Sequence, residues 1–197
     1  MILKTTSKIK IIMNKFKFIK TSIPDVKVCI SQPIKDERGY LDRVYCQHEF
    51  RKITRSSIKQ INRTFTKKVG TIRGFHYQKK PYSEIKIIKC VKGKIFDVAL
   101  DIRKNSSTFL KYHAEIISAE NNKIILIPEG FAHGFQTLTE NCELIYFHTQ
   151  FYNKKSESGI NLLDSKINIK WPKKISFISQ RDKNFSLIKA NFDGINL

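Results

Sequence analysis

No segment of this chain approaches the roughly 18–20 consecutive apolar residues that a membrane-spanning helix requires. The 197 residues contain only eight glycines and five prolines, and no repeat or flexible linker divides them. Four cysteines occur without any C-x-x-C spacing, and a chain of this length can bury a core without disulfide bonds. We therefore expect free thiols in the reducing cytoplasm and no membrane partner.

Acidic residues are scarce, since 17 Asp and Glu stand against 37 Lys and Arg, which gives a net charge of +20. Such an excess is typical of nucleic-acid-binding proteins. However, only eight of the basic residues are arginine, the residue type that best reads phosphates and bases, and the lysines are spread along the chain. We expect no nucleic-acid partner, although the charge would attract a small diphosphate.

The N-terminal segment from Met1 to Lys20 contains six lysines and no acidic residue. It lacks the uninterrupted apolar region and the small-residue cleavage site of a signal peptide, so we expect none. A second methionine, Met13, follows shortly after the first. The sequence predicts a basic extension at residues 1–12, or an early start, followed by a single domain at residues 13–197.

We predict that residues 1–12 are dispensable, because they show no clear packing pattern and chain termini of this kind are often poorly ordered. A protein that starts at Met13 should keep both the melting temperature and the turnover of the full chain. Thermal melts and steady-state assays of the two proteins check this, and a clear drop in either quantity would show that the extension packs or binds.

Short β-branched and aromatic runs, separated by turn signals, dominate the rest of the chain. This pattern predicts a β-sandwich or barrel, with strands that include residues 86–91, 94–100, 113–117 and 143–148. One short helix is predicted at residues 182–190. Alternation places Asp97 on the same strand face as Ile95 and Ala99. An acid in that position needs a partner or a polar cavity, which indicates a polar barrel interior.

Two histidines framed by glycine are the strongest candidates for chemistry. His76 lies in Arg73-Gly74-Phe75-His76-Tyr77-Gln78, and His133 lies in Pro128-Glu129-Gly130-Phe131-Ala132-His133-Gly134-Phe135. Histidine is the usual general base near neutral pH, and it needs a carboxylate to orient it. The residues alone leave three candidates for that carboxylate: Asp97, Asp164 and Asp182. The other histidines, at 48, 113 and 148, have no supporting context and are interpreted as structural.

A metal site is the alternative use of the same histidines. The ligand positions of a metal-binding cupin would be occupied here by His76, Gln78, Glu84 and His133. A neutral amide such as Gln78 is a poor ligand for a transition metal, although two histidines and one glutamate would still make a facial triad. The residues favour acid–base chemistry without a metal.

The ordered motifs between Asp36 and Asp182 resemble those of the dTDP-4-dehydrorhamnose 3,5-epimerase family throughout. They include Asp36-Glu37-Arg38-Gly39, Gln60-Ile61-Asn62, the two histidine motifs, the run from Gly93 to Arg103, Tyr146 and Tyr152, Ile169-Lys170-Trp171-Pro172, and Ser179-Gln180-Arg181-Asp182. The resemblance implies an all-β fold, namely a cupin-type antiparallel β-barrel or jelly roll with a few short helices. It also implies a homodimer without metal or cofactor, and a nucleotide-sugar substrate.

The implied reaction is epimerisation of a nucleotide-linked 4-keto-6-deoxy sugar at C3 and C5, for surface polysaccharide synthesis. By this resemblance His76 is the general base and Asp182 the acid that orients it. Tyr146 is the general acid on the opposite face of the sugar, and Lys86 stabilises the enolate oxygen. The substrate is expected to be dTDP-4-dehydro-6-deoxy-D-glucose, converted to dTDP-4-dehydro-L-rhamnose.

The resemblance further implies a set of substrate-binding residues: Arg38, Gln60, Asn62, Arg73, Asp97, His133 and Tyr152. Among them Arg73 would hold the diphosphate, Gln60 and Asn62 would contact the nucleotide and phosphates, and Arg38 would reach in from the neighbouring subunit of a dimer.

Departures from the family pattern leave the substrate open. Phe147 follows Tyr146 where lysine is usual, and Asp42 stands where glutamate is common. A C3-only or C5-only epimerase and an enzyme for a GDP- or CDP-linked sugar therefore remain alternatives. A non-catalytic sugar-nucleotide-binding cupin would keep Arg73 and Gln60 but lose the proton-transfer residues.

Overall fold

Fourteen β-strands and two one-turn helices form within residues 15–197, which are the residues that the computed structural model describes. The strands are β1 (Phe16–Ile19), β2 (Lys27–Ser31), β3 (Ile34–Asp36), β4 (Gly39–Leu41), β5 (Gln60–Thr66), β6 (Thr71–Gln78), β7 (Lys86–Lys92), β8 (Lys94–Asp101), β9 (Tyr112–Ser118), β10 (Lys123–Ile127), β11 (Phe131–Thr137), β12 (Cys142–His148), β13 (Glu157–Gly159) and β14 (Phe177–Ile178). The helices are α1 (Gln47–Phe50) and α2 (Gln180–Lys183). The predicted extension at residues 1–12 lies outside the described part, so the division into an extension and one domain stays a prediction.

Two large sheets carry the fold. The first has the strand order β1-β2-β10-β7-β12-β5, and the second has the order β13-β6-β11-β8-β9, with β14 added beside β6. All pairings are antiparallel except that of β14 with β6. The predicted antiparallel β-fold with few short helices is confirmed, and the four strands named from sequence agree with β7, β8, β9 and β12 to within one residue at each end.

The two sheets face each other across an apolar interior. Ile88 and Leu144 of the first sheet and Ile95 and Phe135 of the second belong to one buried cluster. Burying a side chain of this size stabilises the fold by roughly 1.5–3 kcal/mol. The alternation along β8 occurs as predicted, because Ile95 and Ala99 belong to this interior cluster while Phe96, Val98 and Leu100 belong to another.

Irregular segments cover the outer face of each sheet. Val98 and Leu100 of the second sheet pack in one cluster with Leu162 and Ile188 from the C-terminal part of the chain. Ile87 and Leu126 of the first sheet pack with residues 44–58, including Phe50 of α1. Apolar contacts therefore cover part of each outer face, and the polar side chains that line a cavity lie between the sheets.

The helix predicted at residues 182–190 is wrong in extent, because α2 ends at Lys183. Ser179 begins the helix, and its hydroxyl accepts a hydrogen bond from the backbone N–H of Asp182. Beyond the helix, Asn161 binds the carbonyls of Lys183 and Phe185, and Asp164 accepts the N–H of Ile188. These tertiary hydrogen bonds take the backbone groups that a longer helix would have used.

All four cysteines are free, as predicted. Burial raises the pKa of Cys29 and of Cys90 to about 12, so both thiols stay protonated and unreactive at neutral pH. No helix within residues 15–197 is long and apolar enough to cross a membrane.

Candidate active site

A cavity of about 230 Å³ lies between the sheets, and strands β5, β6, β7, β11 and β12 contribute to its walls. The residues that the sequence predicted for the site and that line it are Asn62, Arg73, His76, Lys86, His133, Tyr146 and Tyr152. Four predicted residues do not line it: Asp182, Asp97, Gln60 and Arg38. The fold thus brings together residues from widely separated parts of the chain.

The two histidine motifs meet because β6 and β11 are paired. His76 and His133 are direct cross-strand partners. Beside them Gly74 has a φ of +129°, and a Cβ on it would lie 2.5 Å from the Cα of Gly134. Only glycine allows this conformation and this close approach. The glycines that frame the histidines in the sequence therefore allow the two strands to lie against each other.

Asp182 is the carboxylate that contacts His76. Its Oδ1 lies 2.8 Å from His76 Nε2, and its Oδ2 accepts the backbone N–H of Gly74 at 3.2 Å. The side chain is nearly fully buried. The other two candidate carboxylates have different partners. Asp97 pairs with His133, and Asp164 accepts backbone N–H groups outside the cavity.

The protonation states suit a base. Burial alone would raise the pKa of Asp182, but its contacts with His76 and Gly74 hold that pKa at about 2. Burial lowers the pKa of His76 from its ordinary value of 6.5, and this outweighs the opposite effect of Asp182. His76 is therefore neutral at neutral pH. Because a carboxylate only accepts hydrogen bonds, the contact with Asp182 assigns the proton of the neutral ring to Nε2 and the lone pair to Nδ1. In this tautomer the guanidinium of Arg181, which only donates, is bound by Asp182 Oδ1 at 3.3 Å and not by Nε2.

The lowered pKa of His76 predicts how activity depends on pH. Because His76 must be neutral to act as a base, kcat/KM should fall as the pH drops through the pKa of His76, which lies below 6.5. In Asp182→Asn this acid limb should move to lower pH, because the carboxylate raises the pKa of His76. Profiles of kcat/KM against pH for both proteins check this, and a limb that moves upward would contradict it.

Tyr146 and Lys86 lie on the opposite sheet. Lys86 is buried on β7, donates to the backbone carbonyl of His76 at 3.0 Å and pairs with Glu84 at 3.4 Å. Tyr146 lies on the neighbouring strand β12, and burial raises the pKa of its phenol well above the usual range. The phenol stays protonated, so it can donate a proton.

The remaining predicted residues differ in their placement relative to the cavity. His133 Nε2 lies 2.8 Å from Asp97 Oδ2, and both side chains are buried. Gln60 does not line the cavity but accepts the backbone N–H of Tyr152 and donates to Asn62. Arg38 lies on the exposed hairpin of β3 and β4, where it pairs with Asp36, and it does not line the cavity of its own subunit.

Comparison with known proteins now identifies the family. Residues 20–190 match the family model described as dTDP-4-dehydrorhamnose 3,5-epimerase. The chain belongs to this epimerase family. A Shigella flexneri protein named dTDP-4-dehydrorhamnose 3,5-epimerase is 41% identical over 167 residues, which cover 84% of this chain and 92% of the relative.

Solved structures of epimerases share the fold. The Legionella pneumophila dTDP-6-deoxy-D-glucose-3,5-epimerase, in complex with dTDP-4-keto-L-rhamnose, has a TM-score of 0.83 and 31% identity, covering 87% of this chain and 92% of that one. A 3′-monoepimerase from Streptomyces bikiniensis, in complex with dTDP-quinovose, has a TM-score of 0.77 and 29% identity, covering 84% of this chain and 85% of that one. The predicted cupin-type epimerase fold is confirmed.

Several residues of this epimerase site were not assigned to it from the sequence, among them Arg181, Glu84 and His148. Arg181 lies 2.9 Å from His76 Nε2, and Glu84, considered only as a metal ligand, binds His148 Nδ1 at 2.8 Å. The interpretation of His148 as purely structural is wrong in its placement, because His148 lines the cavity. The available signal was strand alternation, since His148 lies two residues after Tyr146 and therefore on the same face of β12.

The alternative metal site of the epimerase does not assemble. The Gln78 amide donates to the carbonyls of Tyr82 and Phe151 and accepts the N–H of Asn153. Glu84 is held by His148 and Lys86. Within residues 15–197 no group of three or more His, Cys, Asp or Glu side chains is arranged to hold a metal ion. The candidate ligands thus have other partners.

We predict that metal chelation leaves epimerase activity intact, because the amide of Gln78 replaces a second imidazole and is already used in backbone hydrogen bonds. Turnover measured before and after treatment with a strong chelator should be equal. A loss of turnover that one divalent ion restores would contradict the metal-free mechanism.

Proposed function

We propose that this protein converts dTDP-4-dehydro-6-deoxy-D-glucose to dTDP-4-dehydro-L-rhamnose by inverting C3 and C5. The observation that carries the proposal is the placement of His76 and Tyr146. His76, bound to Asp182, projects from the second sheet, and Tyr146 projects from the first, and both line the same cavity. A sugar between the sheets would have a proton acceptor on one face and a proton donor on the other, which is what inversion requires.

The chemistry follows from the 4-keto group of such a sugar. Removal of a proton from C3 or C5 leaves a carbanion that delocalises onto the ketone oxygen. The ammonium group of Lys86 lies in the cavity near His76 and would stabilise this enolate, an electrostatic effect that can amount to about 3–4 kcal/mol. Tyr146 then returns a proton to the other face. Neither electron transfer nor a redox cofactor takes part in these steps.

The charge of the cavity rim supports a nucleotide diphosphate as the rest of the substrate. Arg73 and Arg181 line the cavity, and the exposed Arg73 guanidinium is steadied by Thr66 and by the carbonyl of Phe65. A guanidinium binds phosphate oxygens in a bidentate manner. The net charge of +20 would also steer an anionic substrate toward the protein. The similarity to the Legionella protein, solved with dTDP-4-keto-L-rhamnose, favours dTDP as the nucleotide.

The alternatives differ in the number of carbons inverted and in the nucleotide. The similarity to a 3′-monoepimerase means that the fold is compatible with inversion at one carbon. C3-only or C5-only epimerisation and a GDP- or CDP-linked substrate are therefore the alternatives within the family. A non-catalytic sugar-nucleotide-binding protein is disfavoured, because the cavity contains His76, Lys86 and Tyr146 together.

We also propose that the enzyme is a cytoplasmic homodimer in which Arg38 reaches the partner's cavity. The hairpin that carries Arg38 exposes Ile34, Tyr40 and Leu41, whose exposed fractions are 53%, 72% and 72%. A second subunit that covers these apolar side chains would remove them from water, which would stabilise the dimer. The four free cysteines are typical of proteins from a reducing compartment.

One experiment distinguishes these functions. The protein is incubated with dTDP-4-dehydro-6-deoxy-D-glucose in deuterated water, and mass spectrometry counts the deuterons in the product. Two deuterons and a rhamnose-configured product support the proposal, whereas one deuteron indicates a mono-epimerase. Binding without any deuterium uptake would contradict an enzymatic role. The GDP- and CDP-linked sugars serve as parallel substrates.

A further inference from the structure

A second carboxylate–imidazole pair, formed by Glu84 and His148, lies beside Tyr146 and is separate from the pair formed by Asp182 and His76. His148 Nδ1 lies 2.8 Å from Glu84 Oε2, and both side chains are about one-tenth exposed or less. The imidazole of His148 stacks on the Tyr146 ring, with centroids 5.9 Å apart and planes 12° from parallel. The pair thus contacts the proposed proton donor rather than the proposed base.

The contacts of His148 indicate the tautomer of its neutral imidazole. Because Glu84 is a carboxylate, the proton of a neutral His148 lies on Nδ1, and the lone pair lies on Nε2. The amide nitrogen of Asn62, an exposed residue of the cavity wall, lies 3.5 Å from this Nε2. The charged and titratable neighbours of the pair include Lys86, which contacts Glu84, and Tyr146, which stacks on His148. His148 therefore joins the rim of the cavity to the ring of Tyr146.

Inversion at two carbons requires that the starting protonation states of His76 and Tyr146 are restored between the two steps, and these two residues cannot do this by themselves. The first inversion leaves His76 protonated and Tyr146 as a phenolate. The second inversion, without release of the sugar, requires that His76, whose side chain is 25% exposed, releases its proton to solvent and that Tyr146 receives a new proton. Burial raises the pKa of Tyr146, so the phenolate is costly and takes up a proton readily. With the sugar in the cavity, bulk water has little access to Tyr146, which is only 8% exposed even without it.

We propose that His148, held by Glu84, returns a solvent proton to Tyr146 between the two inversions. Solvent at the rim protonates Nε2, and the Glu84 carboxylate stabilises the imidazolium. The Nε2 proton then passes to the phenolate oxygen, directly or through one water, so that Tyr146 becomes a neutral phenol and His148 a neutral imidazole. His133 also contacts the Tyr146 ring, but its Nε2 is bound to Asp97, which is fully buried and has no contact with the rim. The inference rests on the proposed function.

The test measures how the product divides between one and two inversions. The parent, His148→Gln and His148→Phe are incubated with dTDP-4-dehydro-6-deoxy-D-glucose in deuterated water, and singly and doubly inverted products are separated and their deuterons counted. Glutamine can still donate to Glu84, and phenylalanine keeps the ring stacked on Tyr146, but neither can carry a proton. In both variants the ratio of singly to doubly inverted product should rise at least about tenfold, while uptake of the first deuteron stays near the parent rate.

His113→Gln is the matched control, because His113 is a buried histidine of the same barrel whose Nδ1 contacts Ser22 instead of the cavity. This control should keep the parent ratio. A parent ratio in both His148 variants would overturn the relay, as would an equal loss of both inversions or a parent that inverts only one carbon. A parent that does not act on the sugar at all would contradict the proposed function itself. Melting temperatures of all the variants identify any that fail to fold.

Discussion

Replacing His76 with alanine is expected to abolish both solvent-deuterium uptake and epimer formation, because no other base lies in the same place. His76 faces the cavity with its Nε2 bound to Asp182, and burial keeps it neutral. Replacing Asp182 with asparagine should leave the fold intact but lower the rate by roughly 10²–10⁴-fold, since the imidazole loses its tautomer control and its counter-charge.

A matched control separates this effect from a loss of stability. Asp164 is also a buried aspartate that accepts backbone N–H bonds, but it touches no histidine. Asp164→Asn should therefore change the melting temperature more than the turnover per folded molecule, and Asp182→Asn should do the reverse. Near-normal deuterium uptake in His76→Ala would require a different base, and His133, its cross-strand partner, would be the next candidate.

Tyr146→Phe is expected to stop inversion without stopping deprotonation, which separates the two faces of the reaction. The variant keeps the buried ring and its packing against His133 and His148, so the loss is chemical. Substrate in deuterated water should exchange hydrogen at C3 or C5 and yield little epimer. Lys86→Met should instead suppress exchange and epimerisation together, by up to roughly 10²–10³-fold, because the enolate itself is no longer stabilised.

Two residues of the same chain serve as controls. Lys89 lies on the same strand as Lys86 and is also buried, but its ammonium pairs with Asp42 on the outer side of the sheet. Lys89→Met should cost stability and leave exchange per folded molecule unchanged. Tyr112→Phe on β9, away from the cavity, should behave like the parent. If Tyr146→Phe epimerises at nearly the parent rate, the donor is Tyr152 or a bound water.

Much of the fold could be predicted because it depends on local periodicity. Strands such as β8 alternate between an interior and an outer face, and this alternation is visible in the sequence. The short helix was mispredicted because its end depends on Asn161 and Asp164, which are distant in sequence. Local propensity does not contain such tertiary hydrogen bonds.

The sequence by itself determined the β-fold, the two glycine-framed histidine motifs and the resemblance to the epimerase family. The residues alone left three carboxylates open as the partner of His76 and the resemblance implied Asp182, but only the tertiary structure shows which carboxylate meets which histidine. Asp182 reaches His76 across 106 positions, and Asp97 reaches His133 across 36. It also decided that His148 belongs to the cavity. The physical reason is that periodicity determines the face on which a side chain lies, whereas its partner depends on strand pairing and on the packing of one sheet against the other.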